Sequence, residues 1–325
     1  MIQGMTADPA EVSSRPVESP AQPLPPRSEG TKSGALFALL LALLLPAGLF
    51  AQLASPLPGL LWTELFVFLV PAVVVTAGSN LDARAWLRLR TPSKAATGLA
   101  FLAGSSGWFL GSAMFAAVRA VAPAALVQRF DLARLFEGSR VQVAAFAVAA
   151  ALVAPLCEEV AFRGYLLSAW LSRHRPALAI GGSAVLFAAL HLDPIRAPSL
   201  LLLGALYAWL SWRSGSIWPA VIAHATNNGI AAALAFTTPA GEEAGEPTLG
   251  MALVGVAAGA LGVALVAAVY RAAVPLAPRT RGLPLRDPGD PSTRFRLGRL
   301  PVPLGAALLA GWAALGAILL GASLR

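Results

Sequence analysis

The chain has 325 residues, 57% of them hydrophobic and 12% charged, with a mean hydropathy of +0.70. This balance excludes an ordinary soluble domain and points to a polytopic membrane protein, whose apolar runs satisfy their backbone groups as helices. The net charge of +8 does not point to nucleic acid, because the arginines lie between apolar runs rather than along one face, and a lone cysteine, Cys157, excludes an intramolecular disulfide or a cysteine-rich metal site.

Residues 1–34 are polar and rich in proline and serine, without apolar periodicity, and read as a disordered cytoplasmic tail. The apolar run from Leu36 then reads as an uncleaved signal anchor. With about 20 apolar residues needed per span, nine candidates follow: 35–54, 58–78, 96–118, 141–171, 177–193, 197–212, 216–236, 249–270 and 302–323. The expected fold is an all-α polytopic membrane protein with about 8–9 transmembrane helices. Its expected divisions are the tail 1–34, N-terminal spans within 35–79, a core at 80–236, and C-terminal spans within 237–325 that enclose a basic cytoplasmic loop at 271–301.

Glu64 falls in the second span, where it reads as a solvated group near the outer interface. Arg84, Arg88, Arg90 and Lys94 crowd the following loop, which marks it as cytoplasmic; Arg173, Arg175, Arg213 and the arginines of 271–299 mark the other cytoplasmic loops. The N-terminus is then inside, and the Ala/Leu/Arg/Pro bias fits a bacterial inner (plasma) membrane. Gly107 and Gly111 in the third span make a small-xxx-small pair suited to close helix packing.

The fourth span carries "LCEEVAFRGYL", with three ionisable groups in an apolar run. Each costs about 2.5–3.5 kcal/mol near a bilayer centre, so each needs a partner or a purpose. Glu159 and Arg163 are spaced i, i+4 and meet as an ion pair; Glu158 lies about 100° round the helix with no local partner. His191 in the fifth span supplies one. If the two spans turn near His174, Glu158 lies 16 residues before the turn and His191 17 after it, which at 1.5 Å per residue makes them level, about 25 Å from the turn. In the seventh span "HATNN" puts His224 and Asn228 on one face, again i, i+4.

Three spans thereby bring polar groups into one cytoplasm-facing layer. A glutamate paired with a histidine can take a proton from water and return it to a leaving amine, and a histidine with an asparagine can donate to the oxyanion formed between. This chemistry needs no serine or cysteine nucleophile.

The motifs Glu158-Glu159-x-x-x-Arg163, Phe187-x-x-x-His191 and His224-x-x-x-Asn228, in that order, resemble those of the CPBP family of intramembrane proteases, also called the ABI or type II CAAX prenyl endopeptidase family. "LRLRTPS" at Leu87 to Ser93 is similar to a basic segment of its bacterial members. The resemblance covers about residues 80–236. It implies a CAAX-protease-like helical core open to the cytosol, with Glu158 and His191 as the water-activating pair. Glu159 and Arg163 are implied as supports, with Phe187 beside them, and His224 and Asn228 as oxyanion stabilisers. The expected partners are the lipid bilayer and a membrane-anchored protein or peptide substrate. No cofactor is expected, since the HExxH zinc spacing is absent; zinc on Glu158, His191 and His224 is the alternative. The rival functions are a non-catalytic immunity or peptide-binding scaffold protein and a transporter using Glu158 and His191 as a relay.

Overall fold

The computed structural model describes residues 45–79, 81–131, 139–237 and 247–278, with isolated positions at 38 and 42. The tail 1–34, the span 302–323 and most of the basic loop 271–301 lie outside the described residues, as does the first span before Leu45 except at those two positions.

Every regular element among the described residues is helical. In chain order these are α1 (Leu45–Ala54), α2 (Pro56–Gly78), α3 (Ala83–Trp86), α4 (Lys94–Val121), α5 (Ala124–Arg129), α6 (Arg140–Leu171), α7 (Pro176–Leu190), α8 (Ala197–Ser214), α9 (Trp218–Thr237) and α10 (Leu249–Ala273). Their starts follow capping chemistry. Ser93 accepts from Ala96 N at the head of α4, Thr248 from Met251 N at α10, and Ser139 forms a reciprocal capping box with Gln142 at α6. Pro56 and Pro176 open α2 and α7, where a missing N–H costs nothing.

Four of these helices are long and apolar enough to cross a membrane: α2, α4, α6 and α10. The chain is a membrane protein. The remaining candidates differ from expectation in length or polarity. Helix α7 has 15 residues and ends at Leu190 rather than at 193. There Leu192 adopts positive φ (53°), and Asp193, followed by Pro194, accepts from Ile195 N and Arg196 N to start the next element. Helices α8 and α9, with 18 and 20 residues, carry serine, asparagine, arginine and histidine that dilute their apolar character.

Helix α6 is the axis of the fold. It packs against α2, α7, α8 and α9; α4 lies behind α8 and α9, and α10 lies outside α4. Helix α10 is the least buried of the four, and Val254, Leu261 and Leu265 on it are exposed among the described residues. One buried cluster joins α2, α6 and α7 through Val67, Phe68, Cys157, Phe162 and Phe187, and a second joins α4, α8, α9 and α10 through Ala103, Leu203, Tyr207, Ala223 and Tyr270.

The small-residue face of α4 admits two neighbours. Gly107 and Gly111 receive Leu203 of α8, as the glycine spacing predicts. At Gly104 a Cβ would collide with Ala223 O of α9, so glycine there lets the backbones of α4 and α9 touch. This contact holds the helix that carries His224.

The segment before α4 is not a solvated basic loop throughout. Arg88, at φ 56°, donates through Nη2 to Ser211 O at 2.9 Å, and its own carbonyl accepts from Ile217 N at 3.0 Å. Ser168 Oγ donates to Trp86 O and Ser216 Oγ to Arg90 O. Burial, with Arg90 adding to it, pushes the Arg88 guanidinium down to about 10. The stretch Trp86 to Arg90 therefore ties the ends of α6, α8 and α9 together.

Candidate active site

Two prolines shape the helices that carry the site. Helix α6 widens into a π turn over Ala149–Val153, where Ala154 N donates to Ala149 O, an i, i+5 bond. The next carbonyl, Ala150 O, would take its hydrogen from position 155, which is proline and has none. Asn228 Nδ2 of α9 donates to that orphaned oxygen at 2.9 Å. The break in α6 thus creates the acceptor that anchors Asn228. A second π turn at Thr63–Leu69 in α2 precedes Pro71 in the same way, and a third, Val160–Leu166, follows Glu159 in α6.

Glu159 and Arg163 form the ion pair that their spacing predicts, with Arg163 Nη1 donating to Glu159 Oε1 at 3.0 Å and both side chains wholly buried. Arg163 also donates through Nη2 to Gly204 O at 3.0 Å and lies over the Phe187 ring at 4.3 Å. Phe187 is the aromatic centre of the cluster, with edge contacts to His191 and His224 at 4.8 and 5.8 Å between centroids.

His224 is fixed by Glu159. Its Nδ1 lies 2.9 Å from Glu159 Oε1, the same oxygen that Arg163 engages. A carboxylate paired with arginine only accepts, so Nδ1 carries the hydrogen and Nε2 points inward, 3.8 Å from Glu158 Oε2. The Tyr207 ring stacks on the imidazole at 4.8 Å and 19°. On the other side, His191 caps α7 with Nδ1 2.7 Å from Phe187 O. The carbonyl is an acceptor, so Nδ1 is the donor and Nε2 is free to accept, 4.0 Å from Glu158 Oε1.

The structure therefore brings Glu158, Glu159, Arg163, Phe187, His191 and His224 into one cluster, and sets Asn228 one turn along α9 from His224 on a separate anchor. The depth match of Glu158 and His191 holds although α6 is not a regular helix. His191 is a quarter exposed while Glu158 is mostly buried, so the cluster has an open side. Among the described residues no group of three or more histidine, cysteine, aspartate or glutamate side chains is placed to hold a metal ion, and the zinc alternative on Glu158, His191 and His224 gains no support.

Residues 140–230 match the family model "Type II CAAX prenyl endopeptidase Rce1-like". Residues 140–230 are an Rce1-like domain. No curated protein and no solved structure matches the chain. The Rce1-like domain runs from α6 into α9 and contains all seven residues singled out by the sequence motifs.

Two further buried residues on the helices around the cluster, Tyr207 and Glu64, were not singled out for the site. Tyr207 carries no motif, and only the packing of α8 on α9 reveals it. Glu64 was expected to be solvated near the outer interface; it is 3% exposed and its helix packs on the Glu158 segment of α6. The membrane cost of a carboxylate that singles out Glu158 applies equally to Glu64. Its direction stayed hidden because the π turn on which it sits shifts the helical register.

Proposed function

We propose that this chain is an intramembrane endopeptidase of a bacterial inner membrane, with its N-terminus in the cytoplasm, that hydrolyses peptide bonds of membrane-associated protein or peptide substrates through water activated by Glu158 and His191. The observation that carries the reading is the convergence of two Nε2 atoms on one carboxylate, at 4.0 Å from His191 and 3.8 Å from His224. A water donating one hydrogen to Glu158 Oε1 and one to His191 Nε2, through bonds of about 2.8 Å each, spans the first of these gaps.

In the proposed reaction the water oxygen bonds the scissile carbonyl carbon while its proton passes to Glu158. The carbonyl becomes an oxyanion. His224 in its imidazolium form donates to it from Nε2, held by Glu159 at the other ring nitrogen, and Asn228 donates its second amide N–H. When the C–N bond breaks, Glu158 returns the proton to the departing amine. Arg163 balances Glu159 and keeps it an acceptor, and Phe187 fixes the His191 ring through its carbonyl. A literal CAAX substrate is not required; membrane-anchored peptides or sorting tails of surface proteins fit the same chemistry.

The test is a comparison of new protein N-termini in membranes expressing the wild type or Glu158→Gln. Termini present only with the wild type support the reading and name substrate and bond. Identical profiles, with both proteins inserted and candidate host substrates present, overturn it in favour of a non-catalytic peptide-binding protein.

Pro155 gives a further expectation. Pro155→Ala supplies the missing N–H, lets α6 close over Ala150 O and releases Asn228. Cleavage should fall by about 10²-fold, the scale of a 1 Å misplacement, while thermal stability in detergent is retained. Unchanged cleavage would show that the break in α6 does not position the site.

A further inference from the structure

Glu64 lies outside the Rce1-like domain and outside the reaction as written, yet it is a further buried carboxyl at the level of Glu158. In α2 it stands 14 residues before Gly78, and in α6 Glu158 stands 13 before Leu171, so each is about 20 Å from its helix end. The two helix segments pack against each other. Glu64 is 3% exposed, and among the described residues its Oε2 has no hydrogen-bond partner.

Among the described residues no cation forms a hydrogen bond with Glu64 Oε2. From the flanking parts of α2, Pro56–Trp62 and Val70–Gly78, no titratable side chain arrives. From α6 come Cys157, Glu158, Glu159, Arg163 and Tyr165. Arg163 spends its hydrogen bonds on Glu159 and Gly204. Two buried carboxyls at one depth on packed helix segments, each with an oxygen that no described residue bonds, do not both ionise.

We propose that Glu64 is a positioning residue of the site, which shares one proton with Glu158 and thereby holds that carboxylate toward His191 and His224. One carboxyl donates O–H to the other, so the pair carries a single negative charge, and Glu158 keeps one oxygen for the water. No covalent step is involved. The proposal rests on the endopeptidase reading for its catalytic consequence but not for the shared proton.

The experiment uses the full-length protein in lipid vesicles and the variants Glu64→Leu and Glu64→Gln. Leucine removes the donor; the glutamine amide restores it. On a peptide identified from the N-terminal comparison, Glu64→Leu should lower kcat by about 10²-fold with KM unchanged, and move the acid limb of the rate against pH to higher pH. Glu64→Gln should recover most of both. Equal losses in the two variants with a wild-type pH profile, or wild-type kcat in Glu64→Leu, would overturn the proposal while leaving the endopeptidase reading intact. If the wild type cleaves nothing, the infrared spectrum decides separately: a carboxylic-acid C=O band at neutral pH, lost in Glu64→Leu, supports the shared proton, and its absence from the wild type overturns it.

Discussion

Replacing Glu158 by glutamine should abolish peptide hydrolysis without unfolding the protein. Glutamine keeps the shape of the side chain but cannot accept and return a proton, and proton transfer by a positioned group is worth about 10²–10⁴-fold. The loss should appear in kcat, measured with purified protein in lipid vesicles on a quenched peptide, and KM should change little because the residue acts on the water. Glu159→Gln should behave differently. Its oxygen holds His224 and Arg163 at once, so that change weakens the fold as well as the rate. A Glu158→Gln protein that cleaves within tenfold of the wild type would remove Glu158 from the reaction and leave His191 or His224 as the base.

The largest effect on stability should come from Arg163→Ala. The guanidinium is fully buried between Glu159, Gly204 O and the Phe187 ring, and removing it leaves the Glu159 carboxylate buried without its main counter-charge. Breaking one half of such a pair costs about 3–5 kcal/mol. Thermal unfolding in a fixed detergent should show a clear fall in Tm or loss of the folded fraction. Changing both partners, Arg163→Met with Glu159→Leu, should recover much of that stability, because no uncompensated charge remains, but should not recover cleavage, since His224 loses its anchor. If Arg163→Ala melts like the wild type, the pair is dispensable to the fold.

The residues of the cluster were legible from their chemistry. An ionisable group in an apolar run requires a reason, and the i, i+4 spacing of Glu159 with Arg163 fixes a contact that depends on one helix only. The pairing of Glu158 with His191 followed from counting residues on either side of a turn, which survives local irregularity because depth varies slowly along a helix.

Direction was not legible. Whether Glu64 faces water or Glu158 depends on a π turn before Pro71 and on which neighbour α2 meets. Whether Asn228 has an anchor depends on a carbonyl that Pro155 leaves free in another helix. The hand of each imidazole depends on Glu159 Oε1 for His224 and on Phe187 O for His191. The sequence by itself determined that this is a helical membrane protein with acid, base and amide groups in its interior, because transfer energies belong to residues one at a time. Only the tertiary structure decided which of those groups face one another and through which atoms, because hydrogen bonds and charge pairs depend on ångström-scale distances between helices far apart in the chain.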